Sequence, residues 1–220
     1  GSVRGQAGLV VCAIVLALTF ATQRVVTKAP LRTLPRTLGL ARSAPRALFG
    51  ALVLGAALLA FFPLYSAVAA EPLVVRRDWP LLALGIFAQA GIAQETLFRG
   101  FLYRHLRVDR TFWAAPTLAA VPFVAAHLLL FFTLDFAVAL AALAVAVSLT
   151  FPLARLFDLA GGSIWPGAIL HAVIQGAIKL IEPAGDPLPL AMSWMLVSAL
   201  APWLVFAVRG RAAPAGRAKA

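Results

Sequence analysis

Residues 47–70 read ALFGALVLGAALLAFFPLYSAVAA, a run of 24 residues without one charged side chain. About 18 such residues suffice for a helix to cross the hydrocarbon core of a bilayer. Residues 187–208 repeat the pattern, and residues 111–133 contain a single titratable side chain, His127. Backbone groups inside lipid must find their hydrogen bonds within their own segment. These runs therefore predict an all-α fold, a polytopic membrane helix bundle.

Composition agrees with that reading. The chain has 220 residues, of which 62% are hydrophobic and 12% charged. A soluble domain carries about 45–50% apolar and about 25% charged residues. The formal net charge is +11, and the basic residues sit between the apolar runs. In that position they set membrane orientation and touch anionic head groups, so the expected partner is the lipid bilayer and not nucleic acid. Cys12 is the lone cysteine and forms no intrachain disulfide. Gly1-Ser2 resembles the remnant of a cleaved tag, and no cleavable signal peptide is expected. The usage of Ala, Leu and Arg points to a bacterium with a GC-rich genome.

Outward from the deciding run, the pattern predicts about seven spans, roughly 8–23, 47–70, 79–103, 112–133, 136–155, 162–181 and 187–208. They form a single membrane-embedded domain over 1–220, with no internal repeat and a disordered basic tail over 209–220. If the spans alternate, one side receives Arg24 to Arg46, then Arg104, Arg107 and Arg110, then Arg155, then the tail. The other receives Arg4, Arg76, Arg77 and Lys179. Positive residues favour the cytoplasm, so the N-terminus is expected outside and the C-terminus inside a bacterial inner membrane. Residues 24–46 hold three prolines and six basic residues and read as a loop. Residues 71–78 read as a short outer connection.

Ionisable side chains inside a span are costly and mark function. Three stretches contain them. Gln94-Glu95-Thr96-Leu97-Phe98-Arg99 puts Glu95 and Arg99 on one helical face, where they can pair. Phe123 and His127 share a face, as do His171 and Gln175. Gly161-Gly162-Ser163 reads as a helix start, with Ser163 as N-cap. Each stretch alone has a plain structural reading, an ion pair or an interhelical hydrogen bond. Depth argues otherwise. Counted from the basic end of each helix, position 94 lies roughly 16 Å deep, His127 roughly 15 Å and His171 roughly 12 Å. Three unrelated contacts need not share a layer; a hydrated pocket between helices would.

In this order the three stretches resemble the signature of the CPBP family, which includes the Rce1-type CAAX prenyl endopeptidases and bacterial myxosortases. That signature is Glu-Glu-x-x-x-Arg, then Phe-x-x-x-His, then His-x-x-x-Asn or a similar polar residue. Here it reads Gln94-Glu95-x-x-x-Arg99, Phe123-x-x-x-His127 and His171-x-x-x-Gln175. The resemblance implies an intramembrane glutamic endopeptidase without metal or cofactor, acting on a membrane-associated protein or peptide. The first glutamate and the histidines would activate water, and the third-motif amide would hold the oxyanion. A carboxylate in a poorly solvated pocket can act as a base near neutral pH.

Two positions depart from the signature. Gln175 offers the donor of asparagine on a longer stem. Gln94 stands where the family has its glutamate, and an amide cannot take up the proton. The chain as given is therefore expected to be inactive, either by a deliberate Glu→Gln substitution or as a natural pseudoenzyme, unless Glu95 takes over. The other readings are a non-catalytic peptide-binding, immunity or scaffold protein, a small transporter, and a metal hydrolase with Glu95, His127 and His171 as ligands.

Overall fold

A computed structural model describes residues 2–208; the predicted basic tail lies outside the described residues. Among the described residues seven long helices follow one another: α1 (Ser2–Thr27), α2 (Pro45–Ala69), α3 (Trp79–Arg107), α4 (Ala114–Phe132), α5 (Phe136–Leu159), α6 (Trp165–Leu180) and α7 (Pro187–Ala207). Six of them are long and apolar enough to cross a membrane; α6 is the exception. Its 16 residues extend about 24 Å, less than the roughly 30 Å hydrocarbon core. It is also the helix with the fewest apolar side chains facing outward, because its neighbours enclose it. The main core lies between α2, α5, α6 and α7, where Leu58, Phe62, Leu153, Leu170, Ile174 and Trp194 pack together. The first helix runs well past the apolar stretch that predicted it and packs along α3.

Three connections differ from the sequence expectation. The segment before α2 is not a plain loop. It contains a turn of helix, Leu34–Thr37, with proline in the first turn where its missing N–H costs nothing. Leu34 and Leu38 are fully buried. The carbonyl of Leu38 lies so close to α3 that a Cβ on Gly100 would meet it at 2.1 Å. The segment then tethers the start of α6: Ile164 N–H donates to Gly39 O at 2.9 Å, and Ser163 Oγ donates to Ala41 O at 3.0 Å. Ser163 Oγ also accepts from Trp165 N–H at 3.5 Å, so it serves both the linker and the first turn of α6, although the N-cap position itself belongs to Ile164. Gly161 and Gly162, at φ +74° and +83°, make the sharp reversal between α5 and α6 that residues with a Cβ adopt rarely.

The connection 71–78 also has structure. Strand β1 (Leu73–Val75) pairs antiparallel with β2 (Ile181–Pro183), with Val74 opposite Glu182. Arg76 reaches Asp78 at 3.1 Å and also contacts Glu182. That hydrogen bond from the guanidinium holds the Asp78 carboxyl below the usual carboxylate range. The two-stranded clasp joins the entry to α3 and the exit of α6, two of the three helices that carry the polar residues.

Within α3 the chain leaves ordinary α geometry. Phe87–Gln94 and Thr96–Tyr103 are wound as π-helix, with Glu95 at the junction. Such widened turns are rare and concentrate at functional sites.

Candidate active site

Glu95 is 1% exposed and lies against α6 at its thinnest point. A Cβ on Gly167 would come within 3.0 Å of Glu95 Oε2, and one on Gly91 within 2.9 Å of Ala168 O. These two glycines let α3 and α6 approach until a side chain of one can bond the other.

Oε1 of Glu95 takes two hydrogen bonds. Arg99 Nη1 donates at 3.0 Å, the i,i+4 pair expected from sequence. His171 Nδ1 lies at 2.7 Å. A carboxylate only accepts, so the imidazole proton sits on Nδ1, and in the neutral ring Nε2 carries the lone pair. A buried charge is tolerable when it is paired and hydrogen-bonded, and Arg99, itself 4% exposed, supplies the opposite charge.

Phe123 forms the wall between the two histidines. Its ring centroid lies 4.6 Å from that of His127 and 6.3 Å from that of His171. Arg99 Cζ lies 5.4 Å from the same centroid, a cation–π distance, and Phe98 packs edge-on at 4.8 Å. The motif phenylalanine thus touches the arginine and both histidines. His127 Nδ1 lies 2.8 Å from Phe123 O. A carbonyl accepts, so here too the proton is on Nδ1 and Nε2 is left for other partners.

His127 and Gln175 line one cavity of about 200 Å³, together with Ile174, Lys179, Trp194 and Ser198. Lys179 Nζ donates to Gln175 Oε1 at 2.9 Å. An ammonium has no acceptor, so the amide oxygen must face it and the Nε2 donor is turned away from Lys179. Trp194 Nε1 donates to Ile174 O at 3.0 Å and holds α7 against this part of α6.

The structure joins Glu95, Arg99, Phe123, His127 and His171 in one chain of contacts, with Gln175 across the shared cavity. Gln94 stands apart: its side chain is partly exposed, and its buried Oε1 accepts no hydrogen bond from any described residue. Glu95 Oε2 and His171 Nε2 are likewise buried without a protein partner among the described residues. Nearly all buried polar atoms are satisfied by protein, ordered water or ligand, so Glu95 Oε2 and His171 Nε2, orphans on two side chains that bond each other, mark a place for a polar guest. Among the described residues no three His, Cys, Asp or Glu side chains are grouped to hold a metal ion.

Sequence reasoning passed over Lys179 as a residue near a span end. The repeat His171, Gln175, Lys179 at four-residue spacing was the available signal. It also passed over Gly91 and Gly167, whose importance depends on a neighbour 70 or more positions away.

No curated protein and no solved structure gives a significant match to the chain. Residues 76–177 match a family model described as Type II CAAX prenyl endopeptidase Rce1-like. The matched segment holds Gln94, Glu95, Arg99, Phe123, His127, His171 and Gln175, and ends just before Lys179. The chain is thus a helical integral membrane protein whose residues 76–177 are similar to the Rce1-like CAAX prenyl endopeptidases.

Proposed function

We propose that this protein is an intramembrane endopeptidase fold that hydrolyses a peptide bond of a membrane-associated substrate, with Gln94 at the general-base position suppressing turnover in the chain as it stands. The observation that carries this reading is the bond of Glu95 Oε1 to His171, with Glu95 Oε2 and His171 Nε2 buried without a protein partner among the described residues.

The chemistry follows from the groups present. A carboxylate at position 94 would take the proton of an attacking water. The glutamine in its place is of similar size but cannot do so. His127 orients the water through Nε2. Gln175, its oxygen engaged by Lys179, offers Nε2 to the oxyanion that forms on the carbonyl. Neutral His171 presents a lone pair at Nε2, and once protonated it presents a donor there. Glu95 and Arg99 keep that ring in one tautomer and one orientation.

The cavity favours a substrate that enters from one side. His127 ends the α-helical part of α4, and Gln175 and Lys179 lie in the last turns of α6. Both helix ends lie opposite the basic clusters, on the outer side by the positive-inside rule. That direction suits the sorting tail of an exported surface protein, as in a myxosortase, better than a cytoplasmic leader peptide or prenylated tail.

The test is Gln94→Glu, assayed with membrane-tethered candidate tails. Cleavage should rise by about 10²–10⁴, the usual worth of a general base. A folded Gln94→Glu protein that cleaves no better than the parent overturns the account of position 94. Peptide binding that persists without turnover would instead favour the non-catalytic reading, a membrane peptide-binding or scaffold protein, for which Gln94 itself is the supporting observation.

A further inference from the structure

Lys179 sits in an unusual place for a lysine. It lines a mostly apolar cavity whose other polar members are His127, Gln175 and Ser198. Lysine in the last turn of a helix ordinarily serves the helix dipole or reaches the head groups. Here the ammonium turns back along α6 onto the side-chain oxygen of Gln175 at 2.9 Å. Among the described residues no Asp or Glu lies within 4.0 Å of it. An ammonium has three N–H donors, and a neutral amide oxygen occupies one. A positive charge held among apolar side chains without an anion calls for one.

We infer that Lys179 is a specificity residue that binds a carboxylate on the substrate, resting on the reading of this cavity as a peptide site. Geometry sets where that carboxylate must be. Gln175, the proposed oxyanion donor, takes the Lys179 ammonium on its amide oxygen at 2.9 Å. An extended peptide advances about 3.3 Å per residue. The carboxylate therefore belongs one or two residues from the carbonyl presented to Gln175. Either an acidic side chain or a free chain terminus supplies that chemistry. The substrate class is thus an apolar peptide with one acidic group at that offset.

The inference can be tested on the chain as it stands, since binding does not need position 94 to be acidic. The probes are dansyl-labelled seven-residue peptides of alanine and leucine in three forms: a C-terminal amide without acidic groups, the same peptide as a free acid, and the amide with one internal glutamate. At least one acidic form should bind the detergent-solubilised protein about tenfold or more tighter than the neutral amide, the strength of a hydrogen bond to a charged group. Which acidic form prefers the site identifies the source of the carboxylate. The preference should vanish in Lys179→Met and be largely kept in Lys179→Arg, while the neutral amide binds all three proteins alike. Equal binding of the three peptides by the parent chain, or a preference that survives Lys179→Met, overturns the assignment and leaves the peptide-site reading standing. If no peptide binds, both fall. The parent chain alone decides between acid and amide, so poor folding of Lys179→Met would not rescue the inference.

Discussion

His171 Nδ1 lies 2.7 Å from Glu95 Oε1, across two helices and 76 positions of sequence. This contact joins the first and third polar stretches, and it explains why Arg99 is present. The arginine balances a carboxylate that would otherwise be an uncompensated charge in the bilayer.

Removal of that carboxylate should therefore destabilise the bundle. Glu95→Ala leaves Arg99 buried without its partner, a loss of about 3–5 kcal/mol for a broken buried pair. Thermal unfolding followed by circular dichroism should show a large drop in midpoint. The double variant Glu95→Ala with Arg99→Met should recover part of it. A single variant as stable as the parent would mean the pair holds nothing together.

The approach of α3 to α6 makes a second case. Gly167→Val places methyl groups where Glu95 Oε2 now lies, 3.0 Å from the position of a Cβ. The carboxylate must shift, and displacements of about 1 Å can cost about 10² in rate. In a Gln94→Glu background, kcat should fall by roughly that factor. An unchanged rate would show that the side-chain position of Glu95 is immaterial.

Gln175 should behave as an oxyanion donor. In the same background, Gln175→Leu should lower kcat by about 10²–10³ with little change in KM, as loss of one such donor does elsewhere. Gln175→Asn keeps the amide and should lose far less. Equal losses in the two variants would place the effect in packing.

The two-stranded clasp has a pH dependence whose sign is set by Asp78. Its carboxyl is held below the ordinary value by the hydrogen bond from Arg76. The contribution to the clasp is complete above the unfolded value of about 3.9 and is lost as pH falls through the lower folded value. Hydrogen exchange at residues 73–75 and 181–183 should quicken as pH drops below about 4, after correction for intrinsic rates. Arg76→Gln should remove that step. Exchange that is flat through this range in the parent would count against the ion pair.

Several features were visible only in part along the chain. The Glu95–Arg99 pair is local, four residues apart on one helix, so spacing alone reveals it. The spacing of Phe123 and His127 likewise shows a shared face, and the structure adds that this phenylalanine also touches Arg99 and lies near His171. The π winding on either side of Glu95 has no sequence mark, because the residues there suit an ordinary helix equally well. The strands 73–75 and 181–183 are too short to show an alternating pattern, and they exist because each finds the other.

Hydropathy by itself determined that the chain is a bundle of membrane helices, while charge and residue counts predicted a shared side for the basic loops and a similar depth for position 94, His127 and His171. Those are properties of single segments in a solvent with no hydrogen bonds to give, and each can be counted residue by residue. Only the tertiary structure decided that Glu95 reaches His171, that Gln94 stands outside this network, and that Lys179 holds Gln175 at the edge of a cavity. Such facts depend on which helices are neighbours and how closely they pack, and α6, predicted as a full span but only 16 residues long and enclosed by its neighbours, carries His171, Gln175 and Lys179.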